Sequence, residues 1–304
     1  MRRPTNSPAI SEQRADESDL EGSRVDAAVV HGRDVADAPR RKIGSLTVLV
    51  PTRNESGNIA PLLDRLGAIS HTMPLAVLFV DDSTDDTPQV IRRLARRSTF
   101  AVDVLHRPEG ERTRGLGGAV RAGLKATRSE LVCVMDADLQ HPPELLPALI
   151  AEGQRSQADV VVASRHSAGG DLATFSAGRR ALSRASALVA RALFPFRLRG
   201  LSDPMSGFFL VRRVALDVTA LRPNGFKILL EILLSGSRRL SISEVGFRFG
   251  ERHAGDSKAT LREGGRYLRR LITLRILRWK PPGKRGFTVA SPVRIPTLDA
   301  DATR

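Results

Sequence analysis

Only one of the 304 residues is cysteine, Cys133. A single thiol excludes an intrachain disulfide and a multi-thiolate zinc cage, and it suits a reducing or redox-indifferent compartment. Cys133 lies inside the apolar run 131–135, where an inert buried thiol is expected. Aromatic residues are scarce too, at 4%, with one Trp and one Tyr. With no zinc-finger or RNA-recognition pattern in the chain, this scarcity argues against a nucleic-acid-binding module. No run approaches the roughly 18 apolar residues of a transmembrane helix. Residues 1–42 hold no hydrophobic segment of the secretory-signal kind and read as a polar, disordered leader. There is no internal repeat.

What the chain does have is positive charge. Lys and Arg outnumber Asp and Glu by 48 to 33, for a net charge of +15 and a pI near 11.3. Such a surplus attracts polyanions, anionic lipid headgroups or phosphorylated substrates. Hydrophobic residues make up 41%, enough for one large domain or two small ones. Short apolar, β-branched-rich runs at 46–50, 75–80, 101–106, 131–136 and 158–164 read as buried strands. Helical segments at 58–69, 87–97, 117–127 and 142–153 separate most of them, with Pro142 and Pro143 suited to a first helical turn. The alternation predicts an α/β fold: a Rossmann-like, mostly parallel sheet with helices on both faces.

Ligands of such sheets bind outside the carboxyl ends of the strands. Three strand ends here are polar or acidic: PTRNE (51–55), DDSTDD (81–86) and DADLQ (136–140). One acidic strand end is commonly a helix cap, and Thr84 or Asp85 fits that role for the helix that follows. Three on one edge call for another account. Asp136 and Asp138, two apart in extended backbone, put both carboxylates on one side, with Ala137 facing away. Paired carboxylates in a basic protein suit Mg²⁺ or Mn²⁺, with substrate phosphates completing the shell.

The motifs PTRNESGNI, VDDSTDDTP, RTRGLGGAV, MDADLQHPPE, SDPMSGFFLVRR and FRFGERHAGDSKA occur in the order found in family 2 glycosyltransferases of the GT-A fold. Across about residues 45–260 the chain resembles polyprenol-phosphate (dolichol-phosphate) mannosyltransferases. The resemblance implies inverting transfer of a hexose, mannose from GDP-mannose foremost, to the phosphate of a membrane polyprenol. A UDP-sugar donor such as UDP-glucose is the alternative. By position, Asp136, Asp138 and Gln140 resemble the metal set. Pro51, Arg53, Glu55, Asp81, Asp82 and Asp136 resemble the nucleotide-sugar pocket. Ser164, Arg165, Arg252, Ser257 and Lys258 resemble the acceptor-phosphate groups. Asp138, Arg114, Arg252 and Lys258 are the residues implied to act closest to the reaction. Three departures stand out: Arg53 replaces the usual aromatic of P-T-Y-N-E, His166 replaces the usual Tyr after S-R, and the loop 107–118 is longer and more charged than the usual compact version.

An acceptor phosphate is anionic at neutral pH and needs charge screening rather than a general base. His141 and His253 are therefore weak candidates for catalysis, and Trp279 reads as an interfacial or packing residue. Two basic stretches are amphipathic. In 179–199, Leu182, Ala185, Val189 and Leu193 recur at helical spacing; in 261–281, Leu268, Leu271, Ile272 and Ile276 do the same. Either stripe could face the core. With a lipid acceptor, both are expected to lie on a membrane surface with the arginines on anionic headgroups. The expected organisation is a leader at 1–42, a GT-A domain at 43–260, the amphipathic helix at 261–281 and a flexible tail at 282–304. The protein would sit on the cytoplasmic face of a membrane, with or without a separate anchoring partner.

Overall fold

The computed structural model describes residues 46–167, 177–223, 227–236, 238–250 and Leu271. The elements run β1 (Leu46–Thr52), α1 (Ser56–Ser70), β2 (Ala76–Asp81), α2 (Thr87–Ala95), β3 (Ala101–His106), α3 (Gly115–Ala126), β4 (Leu131–Val134), α4 (Leu146–Ser156), β5 (Val160–Ser164), α5 (Ala177–Leu193), β6 (Phe209–Arg212), α6 (Ile228–Ser235) and β7 (Ile242–Gly246). The seven strands form one sheet in the order β3-β2-β1-β4-β6-β5-β7. All pairings are parallel except those of β6, which runs antiparallel to β4 and β5.

The near-continuous burial of β1 follows from cover on both faces. Successive side chains point to opposite sides. Val48 and Val50 join Ile59, Leu62, Leu66 and Ile91 in one core, while Leu49 joins Val120, Leu124, Phe194 and Leu229 in the other. Helix α3 approaches the sheet closely because position 123 is glycine: a Cβ there would lie 2.4 Å from Leu49 Cδ1 and 2.9 Å from Val80 Cγ2. Overpacking of this kind costs about 1–3 kcal/mol, and each kcal/mol moves the melting temperature by about 2–4 °C at this size. Gly123→Val is expected to lower the melting temperature by about 5 °C. An unchanged thermal melt would mean that α3 has room to rise off Leu49.

Three details depart from the sequence reading. Strand β4 ends at Val134, so the two acids of DADLQ sit in a turn rather than on extended backbone. Pro143 opens a 3-10 turn, Pro143–Leu145, ahead of α4. And β6 is antiparallel because the chain comes back along the carboxyl edge through 203–208 before entering the sheet. That return brings Asp203 and Gly207 to the edge where the parallel strands end.

The two amphipathic stretches behave differently. In α5 the core side is Ala187 and Ala190, continued by Phe194 past the helix end. Ala185 and Val189 of the anticipated stripe face out instead, beside Leu188 at 60% exposure and Phe196 at 83%. Exposed Arg184 and Arg191 flank them. Of the second stretch only Leu271 lies among the described residues. It is fully buried in the core shared with α3, α5 and α6, not on a lipid-facing surface.

Candidate active site

Strand register builds one side of the site. Thr52, Asp81 and His106 are aligned across β1, β2 and β3 at their carboxyl ends. The fully buried Asp81 carboxylate accepts from Thr52 Oγ1 at 2.8 Å, from Ser83 Oγ at 2.5 Å and from His106 Nδ1 at 2.6 Å. Asp81 thus ties three strand ends together and keeps both oxygens inside the protein. Its neighbour Asp82 is held bidentately by Arg107, with Nε at 2.7 Å and an Nη at 2.5 Å. Arg112 closes the arrangement, donating to Arg107 O at 3.0 Å and Ser83 O at 2.9 Å. The charged loop after β3 is therefore folded back onto the loop after β2.

The segment after β1 leans on the same loop. Asn54, in left-handed backbone at φ 56°, donates its N–H to Ser83 Oγ and accepts from Thr84 N through Oδ1 at 2.9 Å. Glu55 donates its N–H to Thr87 Oγ1, and its Oε2 accepts from Asn58 Nδ2 at 2.6 Å. Asp85 accepts from Thr87 N at 3.0 Å and Thr87 Oγ1 at 2.6 Å one residue ahead of the N-cap of α2, which is Asp86 and has no side-chain cap bond. Pro51 is half-buried in β1 and Arg53 is exposed beside it. Arg114 is exposed at the N-cap of α3, in left-handed backbone at φ 71°.

The turn at 136–141 forms the centre of the edge. Asp138 is buried and its Oδ1 accepts from Gln140 N at 3.2 Å, while Leu139 takes a positive φ of 65°. Gln140 is tied to the chain after β7: Gly250 N donates to Gln140 O at 3.0 Å, and Gln140 Nε2 donates to Gly250 O at 3.3 Å. The Asp136 side chain is 41% exposed. Its backbone N–H donates to His141 Nδ1 at 3.0 Å, which fixes the His141 proton on Nε2. Burial pushes the His141 pKa down to about 4, so the ring is neutral. It stacks on Phe208 at 5.2 Å and meets Phe247 and Phe249 edge-on. His141 is a backbone cap inside an aromatic box, without the exposure or basicity of a proton acceptor. Gly207 gives Asp136 its room, since a Cβ at 207 would lie 3.2 Å from His141 Cε1 and 3.5 Å from Asp136 Oδ2.

Two carboxylates and an amide supply hard oxygen donors. Among the described residues no cluster of three or more His, Cys, Asp or Glu makes a closed metal cage. That donor set fits a cation of the Mg²⁺ class, which takes one or two carboxylates and completes its shell with water and substrate phosphate.

Over the Phe249 ring stands Arg165, its guanidinium carbon 5.7 Å from the ring centre. Arg165 is clamped by Asp203 with Nε at 2.7 Å and Nη2 at 2.9 Å. Burial disfavours the Asp203 carboxylate, but the Arg165 hydrogen bonds and charge outweigh it and hold Asp203 below the usual carboxylate range. Ser164 is fully buried, and its hydroxyl is engaged with Ser202 Oγ at 2.7 Å and the N–H groups of His166 and Ser167. It shapes the turn that carries Arg165 rather than opening to a ligand. His166 Nε2 lies 3.3 Å from Ser183 Oγ, joining this corner to α5. Arg252, Ser257 and Lys258 lie outside the described residues, as does His253.

Against known families, residues 47–219 match the model of glycosyl transferase family 2. The chain belongs to glycosyltransferase family 2. A dolichol-phosphate mannosyltransferase of Pyrococcus furiosus is 35% identical over 236 residues, covering 77% of this chain and 64% of the archaeal protein. The dolichol-phosphate mannosyltransferase of Saccharomyces cerevisiae is 34% identical over 245 residues, covering 77% and 88%. An undecaprenyl-phosphate mannosyltransferase of Micrococcus luteus is 31% identical over 215 residues, covering 69% and 85%. Among solved structures, mannosyl-3-phosphoglycerate synthase from Rubrobacter xylanophilus superposes with a TM-score of 0.57 at 21% identity, covering 83% of each chain. That likeness establishes the fold: an α/β GT-A arrangement with a mostly parallel seven-stranded sheet.

Several residues that organise this family 2 site were given no role in the sequence reading: His106, Arg107 and Glu244 lie outside its motifs, while Arg112 and Asp203 lie unremarked within RTRGLGGAV and SDPMSGFFLVRR. One signal did exist for two of them. DD at 81–82 and HR at 106–107 are polar pairs at the ends of consecutive strands, and consecutive strands of a parallel sheet are usually neighbours.

Proposed function

We propose that this chain transfers mannose from GDP-mannose to the phosphate of a membrane polyprenol, by a single displacement with inversion at the anomeric carbon. The observation that carries the reading is the placement, around one phenylalanine, of an oxygen-donor turn and a clamped guanidinium. His141 of the turn meets Phe249 at 5.7 Å, and Arg165 meets the same ring at 5.7 Å. The turn is suited to a diphosphate-bearing donor, the guanidinium to an anionic acceptor. The names of the relatives supply the sugar and the lipid class.

In this reading Asp82, Glu55, Arg53 and Pro51 line the nucleoside pocket, with Asp81 as its internal tie. Asp136, Asp138 and Gln140 would hold Mg²⁺ or Mn²⁺, which when bound supplies positive charge beside the departing nucleoside diphosphate. Arg165 directs the acceptor phosphate with Arg114 as a further cation, and Arg252, Ser257 and Lys258 are assigned as anion-binding groups by their motif alone. No base is required, which accords with a neutral, enclosed His141. An assay of purified protein with GDP-mannose, UDP-glucose and a polyprenol phosphate, each with Mg²⁺ or Mn²⁺, tests this. Mannosyl lipid from GDP-mannose is expected; transfer only from UDP-glucose, or only to a soluble acceptor, overturns it.

A lipid acceptor requires a membrane surface, and α5 with the turn after it offers a face for one: Leu188, Val189 and Phe196 are exposed, as are Arg184 and Arg191. No described helix is long and apolar enough to cross a membrane. We place the protein peripherally on the cytoplasmic face, with α5 in the headgroup layer. Each basic residue near an anionic surface contributes about 1 kcal/mol, so Arg184→Gln with Arg191→Gln should weaken partitioning onto anionic vesicles by about 30-fold. Phe196→Ser should weaken it further and less salt-dependently. Vesicle sedimentation measures both effects. Intact protein that ignores vesicles would assign the docking to a separate membrane partner.

A further inference from the structure

Arg165 contributes less net charge to the acceptor corner than its type suggests. Asp203 takes both Nε and Nη2 and also accepts from the Arg165 backbone N–H at 3.2 Å. The Asp203 side chain is 0% exposed and that of Arg165 11%. A second carboxylate stands behind the first. Glu244, on β7, accepts from Ser202 N at 3.0 and 2.9 Å, from Ser202 Oγ at 2.9 Å and from Asp203 N at 3.2 Å. One guanidinium and two carboxylates thus share this corner. Taken as a local charge, the unit does not attract an anion. What it provides is direction. With Nε and Nη2 committed to Asp203 and one face turned to Phe249, the guanidinium presents its Nη1 edge in a single orientation.

We propose that Asp203, braced by Glu244, is a positioning residue for the acceptor: it fixes the Nη1 edge of Arg165 against the acceptor phosphate, so that Arg165 acts by orientation and not by net charge. This rests on the reading of Arg165 as the acceptor-phosphate group. The opposing account treats the pair as an incidental ion pair and Arg165 as a simple electrostatic attractor. The two accounts differ in sign. Removing the Asp203 charge adds one positive charge to the corner, so an electrostatic attractor should bind an anionic acceptor better. An orienting guanidinium released from its clamp should perform worse.

Steady-state kinetics with GDP-mannose and a short, water-soluble prenyl phosphate separate them, using Asp203→Asn, Arg165→Lys and the double variant. Asp203→Asn is nearly isosteric, and a matching circular-dichroism spectrum checks that it folds. Arg165→Lys keeps the charge but cannot form the bidentate clamp, so it tests the claim even if the first variant misfolds. Each single variant is expected to lose about 10- to 100-fold in kcat/KM for the acceptor, the scale of a misplaced binding group. The KM for GDP-mannose and the thermal shift given by GDP with Mn²⁺ should stay as in the wild type. The double variant should lose no more than the worse single, because the two residues act as a unit. A rise in acceptor kcat/KM in Asp203→Asn overturns the proposal, as does an equal loss in donor binding. A wild-type protein that glycosylates no prenyl phosphate defeats the functional reading instead. In that event the shift in melting temperature produced by inorganic phosphate decides the positioning claim: Asp203→Asn must lose it, and retention overturns the claim.

Discussion

Asp138→Asn is expected to lower sugar transfer by about 100-fold or more while leaving the melting temperature within about 1 °C of the wild type. Charge stabilisation by a bound divalent cation is worth several kcal/mol, and each 1.36 kcal/mol is about tenfold in rate. The substitution removes an anionic oxygen donor but keeps a carbonyl oxygen at Oδ1, where Gln140 N donates at 3.2 Å. The turn that places Gln140 and His141 is therefore retained. Activity should recover partly as Mn²⁺ is raised, since the variant loses affinity before it loses geometry. The check is a metal titration of turnover alongside a metal titration of melting temperature without substrate. Near-normal turnover at ordinary Mn²⁺ would remove Asp138 from the metal set.

Arg107→Ala should be the most damaging change on the nucleoside side, and it should damage stability first. Removing one partner of a buried, hydrogen-bonded ion pair costs about 3–5 kcal/mol because the other charge stays enclosed. Here that partner is Asp82, whose side chain is 10% exposed against 8% for Arg107. The same guanidinium reaches Gly115 O at 3.3 Å, and its backbone carbonyl receives Arg112 Nε. Losing it uncouples the loops after β2 and β3 and frees the start of α3. Chemical denaturation should register a stability loss of about 3 kcal/mol, with donor KM raised in whatever fraction remains folded. Asp82→Asn should cost less, because the amide oxygen still accepts one bond and the Arg107 guanidinium keeps its bond to Gly115 O. Equal losses would mean that Asp82, not the pairing, carries the stability.

The parts of the fold legible in the sequence were those that repeat locally. Five β-branched runs and the helices between them announced the parallel part of the sheet, and its carboxyl edge followed from topology. The return strand did not announce itself: FLVR is four residues long and continues a run of phenylalanines. Nor did β7, where ISEVG has Ser243 and Glu244 in place of an apolar pattern. The site divides in the same way. Asp136, Asp138 and Gln140 are readable because they are adjacent. Asp203 with Arg165 and Arg107 with Asp82 are separated by 38 and 25 residues, and only folding brings them together. Ser164 and Asp81 were legible as site positions, yet their side chains are turned inward to hold the edge in shape.

The burial of Leu271 bears on where this domain can be cut. It lies 21 residues beyond Gly250, yet its side chain belongs to the same core as Val120, Phe194 and Leu229. A fragment ending near residue 260 would withdraw that side chain and leave a leucine-sized hole, at a cost of about 2–5 kcal/mol. Any minimal version should therefore carry the chain past 271. The basic stretch expected on a membrane surface is, at this one residue, a plug in the core.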